Sequence, residues 1–194
     1  GALAVGAGDP SGVVNMVRKR PRAEKHIDFA QSVGSWNHYR SEIDAGAPLN
    51  AAGTVRGRLV AAYTDREYFY DLAHSKEPLV YGVIDADLAP GTKATVGYRH
   101  QEQEITGYSI FQLPLYTDAT SLGLPRSTSL GQHWNRHQAK TDDVFAELEH
   151  HLQGDWRAKL TVNRSRTGIV QKLNTARGAV DKATGAGTAI TSNY

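Results

Sequence analysis

The amino-acid sequence predicts an all-β chain whose strands build an antiparallel transmembrane β-barrel. Three observations carry this expectation. Seven segments of about ten residues alternate apolar and polar side chains with a period of two. Their connections alternate between tight turns at one end and longer polar stretches at the other. The polar faces carry full charges of both signs. Ordinary strands run to about 5–6 residues, whereas a tilted membrane-crossing strand needs about 9–11. Short turns on one side and long loops on the other is the asymmetry of an outer-membrane barrel. A soluble antiparallel sheet with one solvated face carries the same alternation, and pattern alone leaves that reading open.

The first 21 residues differ from the remainder of the chain. Gly6 to Gly12 is rich in glycine and contains Pro10, a turn composition; Val13 to Val17 is β-branched enough for a short strand; Arg18-Lys19-Arg20 is a basic cluster closed by Pro21. The stretch reads as a joint between two architectures. Alternation starts in Lys25–Gly34, where Ile27, Phe29 and Val33 share one face. Gly34-Ser-Trp-Asn37 turns the chain. In Tyr39–Leu49, Ile43, Ala45, Ala47 and Leu49 oppose Arg40, Glu42 and Asp44. Pro48 to Thr54 is the next turn, and Val55–Thr64 sets Val55, Leu59, Ala61 and Tyr63 against Arg56 and Arg58.

Asp65 to Pro78 reads as a longer loop with an aromatic patch, Tyr68-Phe-Tyr70. Leu79–Leu88 places Val80, Ile84, Ala86 and Leu88 opposite Tyr81, Asp85 and Asp87; after Ala89-Pro-Gly-Thr92, Ala94–Glu104 places Val96 and Tyr98 opposite Thr95, Arg99 and Gln101. Thr106 to about Asp142 has no periodicity and reads as a long loop. Val144–Leu152 opposes Ala146, Leu148 and Leu152 to Glu147, Glu149 and His151, and Trp156–Arg164 opposes Ala158, Leu160 and Val162 to Arg157, Lys159 and Asn163. From Thr167 onward the pattern fades into Gly, Ala and Thr.

The bulk composition is permissive. The 194 residues carry a net charge of +2 and no cysteine, which leaves no disulfide framework and no thiol chemistry. No apolar run reaches the roughly 18 residues of a transmembrane helix. Neither a signal peptide nor an initiator Met precedes Gly1-Ala-Leu, so a piece of a longer chain is expected. Basic residues are spread along the chain, and Arg18-Lys-Arg-Pro-Arg22 reads as a linker or an ion-pairing anchor rather than a nucleic-acid patch.

Sites for chemistry are sparse. His133 and His137 have i, i+4 spacing but lie in a loop without helical periodicity or a nearby carboxylate. His150 and His151 are adjacent on a strand and point to opposite faces, so they cannot share an ion. Gly6-Ala-Gly8 lacks the lysine and hydroxyl of a phosphate loop, and no serine sits in a nucleophile elbow. No catalytic residue, protein-held metal or cofactor is expected. The long loop offers Tyr108, Phe111, Tyr116 and Trp134, with Pro114 and Pro125 stiffening it; these suit a bulky, partly apolar ligand above a barrel mouth, or simply fold the loop onto itself.

Several runs resemble the TonB-dependent siderophore receptors of Gram-negative outer membranes, the ferric coprogen and pyoverdine branch above all. They are Gly6-Ala-Gly-Asp-Pro-Ser-Gly-Val-Val-Asn-Met-Val-Arg-Lys-Arg-Pro21, Gly34-Ser-Trp-Asn37 with Tyr39-Arg40, Val55-Arg-Gly-Arg-Leu-Val-Ala-Ala-Tyr63, Tyr81-Gly-Val-Ile-Asp-Ala-Asp-Leu88 and Asp181-Lys-Ala-Thr-Gly185. The resemblance implies that residues 1–23 end a plug domain and residues 24–194 open a barrel of 22 strands with a plugged lumen. It implies an outer-membrane receptor that binds ferric siderophore, contacts membrane lipid and is energised by TonB of the inner-membrane complex, with no nucleic-acid partner. The rivals are a passive porin-like channel, against which a plug-to-barrel joint argues, and a soluble β-barrel that binds a small ligand. Iron would arrive already chelated, as cargo. The resemblance also implies that Arg18 and Arg20 latch plug to wall, and inward acids such as Glu42, Asp85 and Asp87 are the candidate partners. One departure stands out: the family's loop usually reads Gly-Tyr-Ser-Trp-Gly-Gly-Leu-Pro, and this chain has Gly107-Tyr-Ser-Ile-Phe-Gln-Leu-Pro114, where Phe111 could replace the missing aromatic contact.

Overall fold

A computed structural model of the chain describes residues 17–109 and 113–193. The expected turn at Gly6–Gly12, most of the Val13–Val17 strand, and Phe111 lie outside the described residues. Among those described, none is helical. Eight strands form one sheet in the order β1 to β8, each antiparallel to the next: β1 His26–Gly34, β2 His38–Pro48, β3 Val55–Glu67, β4 His74–Ala89, β5 Thr92–Thr106, β6 Arg136–His151, β7 Arg157–Arg177 and β8 Thr188–Asn193. All seven expected strands are present, and β8 is an eighth that the fading alternation hides. Every connection joins sequence neighbours, the up-and-down meander of a barrel wall.

Register follows side-chain chemistry. Across β2 to β6 the row Asp44↔Val60↔Tyr81↔Arg99↔Asp143 faces inward, and the row one residue on, Ala45↔Leu59↔Gly82↔Tyr98↔Val144, faces outward. A slip of one residue in any pair would turn Asp44 or Asp85 out and a leucine in, so the pairing is strongly specified. The outward face is exposed and apolar: Leu59 is 55% accessible, Ile84 50% and Val96 56%. The inward face buries a small cluster of Val60, Tyr81, Val83 and Phe145. Phe145 lies flat against β5 because residue 97 is glycine; a Cβ there would collide with its ring.

The strands are longer than a membrane requires. β4, β5 and β6 have 16, 15 and 16 residues, against the roughly 9–11 needed to cross. An outward band of Tyr39, Tyr63 and Tyr98 marks where the apolar face stops. Beyond it the outward face becomes charged and self-paired: His74–Asp65 at 2.6 Å, His100–Asp142 at 2.8 Å and Lys140–Glu102 at 3.3 Å. This explains two displaced boundaries. β4 begins at His74 and β6 at Arg136, inside segments whose lost periodicity reads as loop. Both faces are polar there, so the period-two signal vanishes while the hydrogen-bond ladder continues. The β3–β4 connection is accordingly shorter than expected, and the β5–β6 connection remains the long one.

Candidate functional site

The inner wall holds the basic segment 18–20 by side chains and backbone together. Lys19 reaches Asp44 at 2.8 Å and Glu42 at 3.1 Å. Arg20 lies 3.6 Å from Asp85 and donates to Glu147. Arg18 donates to Asn163 at 3.3 Å, stands 3.9 Å from Glu147, and lays its guanidinium 4.3 Å from the centre of the Phe145 ring. Two carbonyls are caught as well: Tyr81 Oη donates to Lys19 O at 2.7 Å, and Arg58 Nη1 donates to Arg20 O at 2.8 Å. The segment is therefore fixed by β2, β3, β4, β6 and β7 at once.

The wall side of this contact is built in advance. Arg58 forks onto Asp44 with Nε–Oδ1 at 2.8 Å and Nη2–Oδ2 at 2.7 Å, the bidentate geometry that a planar guanidinium allows and an ammonium does not. Thr95 donates to Asp85 at 2.7 Å, and Lys159 supports Glu147 at 3.0 Å. Asp44 and Asp85 are 5% and 4% accessible, and a buried carboxylate has to be paired and hydrogen-bonded, as both are here. The Asp44 carboxylate in turn holds the Lys19 ammonium above its ordinary pKa, with Glu42 adding to it, so Lys19 stays charged at all physiological pH.

Of the expected pairings, Arg20 with Asp85 is made. Arg18 meets none of the three acids expected for it, and Glu42 is taken by Lys19 and Arg40. Asp87 faces inward and pairs with Arg56 at 2.8 Å, near the short-turn end. Lys19, Asp44, Arg58, Tyr81, Glu147 and Asn163 join the contact without having been expected in it. Their signal is present in the sequence, because each strand residue among them occupies the charged face of its strand; what the sequence lacks is the height at which segment 18–20 crosses the wall.

The long loop is tied down at three places. Asp71 N donates to Ser127 O at 2.7 Å, joining it to the β3–β4 connection. Thr117 N donates to Val180 O, and Val180 N to Leu115 O, both at 2.9 Å, joining it to the β7–β8 turn. Lys182 adds an ion pair to Asp118 at 2.9 Å and lies 5.4 Å from the Tyr116 ring centre. At the neck, Asn135 is fully buried and bonded to Tyr108 O and Asn174 O, each at 2.8 Å. Of the candidate ligand residues, Tyr108 is half-buried with its ring 5.2 Å from that of His137, Trp134 is 50% accessible, and Tyr116 sits under Lys182. No group of three metal-ligating side chains occurs among the described residues.

No protein-family model matches the chain. Individual relatives do. The ferric-pyoverdine receptor PbuA of a Pseudomonas strain is 40% identical over 161 residues, covering 83% of this chain and 19% of the relative. The ferripyoverdine receptor of Pseudomonas aeruginosa is 34% identical over 178 residues, 91% of this chain and 22% of the relative. A solved structure of the P. aeruginosa receptor FpvA bound to a heterologous pyoverdine superposes with a TM-score of 0.89 at 31% identity, over 99% of this chain and 26% of that one. The chain belongs to the TonB-dependent siderophore receptors.

The chain thus spans about a fifth of the length of the receptors it matches. As a siderophore-receptor barrel wall it belongs in the outer membrane of Gram-negative bacteria. That location accounts for the inverted sheet, in which leucine and isoleucine face out to lipid and carboxylates face in. The relatives are receptors rather than enzymes. Segment 18–20 directly precedes β1 and lies against the inner face of the wall.

Proposed function

We propose that this chain is the plug-to-barrel joint and opening wall of an outer-membrane receptor that binds a ferric siderophore of pyoverdine type and imports it by TonB-coupled transport. The observation that carries the reading is the fixing of residues 18–20 inside the wall by charge pairs and two backbone carbonyls. A passive pore has no need of a basic segment clamped against its inner wall. A plugged transporter needs one, because a pull on the plug must be resisted somewhere by the barrel. On this reading residues 1–23 end the plug and residues 24–194 belong to the wall. The siderophore class is taken from the receptors the chain is similar to.

Ligand contact is assigned to Tyr108, Phe111, Tyr116 and Trp134, all from the β5–β6 loop. Ferric iron is cargo held by the siderophore, so the protein has to recognise the shape and apolar surface of the chelate instead of supplying ligands to the metal. TonB is the energising partner and lipid covers the outward face.

The test uses the full-length receptor gene in its own host. Deletion should abolish growth under iron limitation on at least one ferric pyoverdine supplied as sole siderophore, and an uncoupler of the inner membrane should stop uptake in the intact strain. Growth of the deletion strain on every siderophore offered would sink the substrate class. Uptake that survives the uncoupler would make the barrel a passive channel.

A further inference from the structure

Asn135 ties the backbone of Tyr108 to the chain beside Trp134, two candidate ligand residues far apart in sequence, and every polar atom it has is bonded. Its side chain is fully buried. Nδ2 donates to Tyr108 O and to Asn174 O, each at 2.8 Å, and Oδ1 accepts from Asn174 N at 2.8 Å. Its backbone carbonyl accepts from Gly107 N at 2.8 Å, and its amide donates to Gln132 O at 2.9 Å. Both amide protons are used, and so is the carbonyl oxygen, so the side chain cannot rotate without losing bonds. No other residue type presents two donors and an acceptor in this short planar form; Asp would set an oxygen against two carbonyls.

The surroundings leave room for this arrangement and little else. Gly107 has φ +62°, and a Cβ there would collide with the Leu72 backbone. A Cβ on Gly131 would stand 2.8 Å from Gly107 O and 3.2 Å from Asn135 Nδ2. The two glycines close the neck of the β5–β6 loop around the asparagine amide. Trp134 directly precedes Asn135, and Tyr108 directly follows Gly107 and is held through its own carbonyl. Two of the loop's aromatic residues, Tyr108 and Trp134, are thereby tied to one buried group, which is itself anchored on β7 through Asn174.

We infer that Asn135 is the positioning residue of the ligand site: it sets Tyr108 and Trp134 at a fixed separation before the siderophore arrives, so that binding does not have to order the loop. Ordering a side chain or loop on binding costs affinity, and a preformed site avoids that cost. This rests on the proposed siderophore-binding role of the same loop. Asn135 itself touches no ligand, and its effect passes through Tyr108.

The experiment is a titration of purified full-length receptor with a ferric pyoverdine, read as quenching of intrinsic fluorescence. Wild-type receptor is compared with Asn135→Ala, Asn135→Asp, Tyr108→Ala and the double variant Asn135→Ala/Tyr108→Ala. Each Asn135 variant should weaken binding by about tenfold, with the loss mainly in koff. The double variant should bind no worse than Asn135→Ala alone, because contacts acting as a unit are not additive. Heat-dependent gel migration of the folded barrel should match wild type; where Asn135→Ala does not fold, Asn135→Ser, a small neutral side chain that keeps one donor, provides the same readout. Unchanged affinity in the folded Asn135 variants would overturn the inference, as would additive losses in the double variant. Wild-type receptor that binds no ferric pyoverdine would instead sink the functional reading on which the inference stands.

Discussion

The two faces of the wall come from the same strands and obey opposite rules. Ile84 and Asp85 are neighbours in β4; the apolar side chain is 50% accessible and the carboxylate 4%. Leu59 and Val60 in β3 differ almost as sharply, at 55% and 5%. In a soluble sheet, exposing isoleucine while burying aspartate would be an error of pattern. Here it states which solvent lies on each side. The outward face can be uniform, because lipid asks only for apolar surface. The inward face must be specific, because each buried charge needs a named partner. Information about function is therefore concentrated inside.

The largest effect should come from breaking the inner face at its most connected acid. Asp44→Ala removes the bidentate partner of Arg58 and the nearer partner of Lys19. It leaves a buried guanidinium uncompensated, which costs about 3–5 kcal/mol. Denaturant unfolding of the refolded barrel should show it, whereas Asp87→Ala, whose partner Arg56 sits beside the turn, should be close to neutral. Equal losses for the two acids would mean that burial and connectivity do not rank the inner charges.

The outward face should respond to charge according to depth and nothing else. Ile84→Arg, well inside the apolar band, should destabilise by about 2–4 kcal/mol in the bilayer. Gln138→Arg, which adds the same charge on the outward face beyond the tyrosine band, should do almost nothing. A substitution at Ile84 that is tolerated in lipid vesicles would place this face against protein rather than lipid.

The same contrast explains how far the sequence alone can be read. Where the outward face is apolar and the inward face charged, alternation is strict, and the cores of β1 to β5 and the lower halves of β6 and β7 are plain from it. Where the strands rise past Tyr39, Tyr63 and Tyr98, residues such as Arg136-His-Gln-Ala-Lys140 are polar on both faces, and a real strand reads as loop. Thr188–Asn193 is hidden because six residues are too few for alternation to register. The inward charges can be assigned to a face, but their partners cannot, since Asp85 and Asp87 differ only in height relative to residues 18–20. Asn135 has no signal at all: a lone asparagine between Trp134 and Arg136 becomes visible only when Tyr108 and Asn174 are brought to it.

The loop tier should separate binding from stability. Trp134→Ala should weaken ferric-siderophore binding about tenfold, worth about 1.4 kcal/mol, with unfolding of the barrel unchanged. Trp156→Ala, at the opposite end of the wall and 76% accessible, should leave binding intact and slow insertion. Binding unchanged by the Trp134 substitution would remove that ring from the site.

The smallest effect belongs to the clip between the long loop and the β7–β8 turn. The Thr120 hydroxyl, then Lys182, then the Thr120 amide hold the Asp118 carboxyl below its ordinary pKa. A depressed carboxylate contributes stability that is present above its unfolded value, about 4, and is lost as pH falls through the lower folded value. The clip should thus be indifferent to pH from about 5 to 8 and loosen only in stronger acid. Hydrogen-exchange protection of the Thr117 and Val180 amides, corrected for intrinsic rate, should be flat across the neutral range and only slightly lower in Lys182→Ala, because the pair is solvent-exposed and two backbone bonds remain. Protection that changed between about pH 6 and 8 would assign control of the clip to a group other than Asp118. It would also make the loop tier responsive to its surroundings, unlike the inner wall, whose Lys19 remains charged throughout that range.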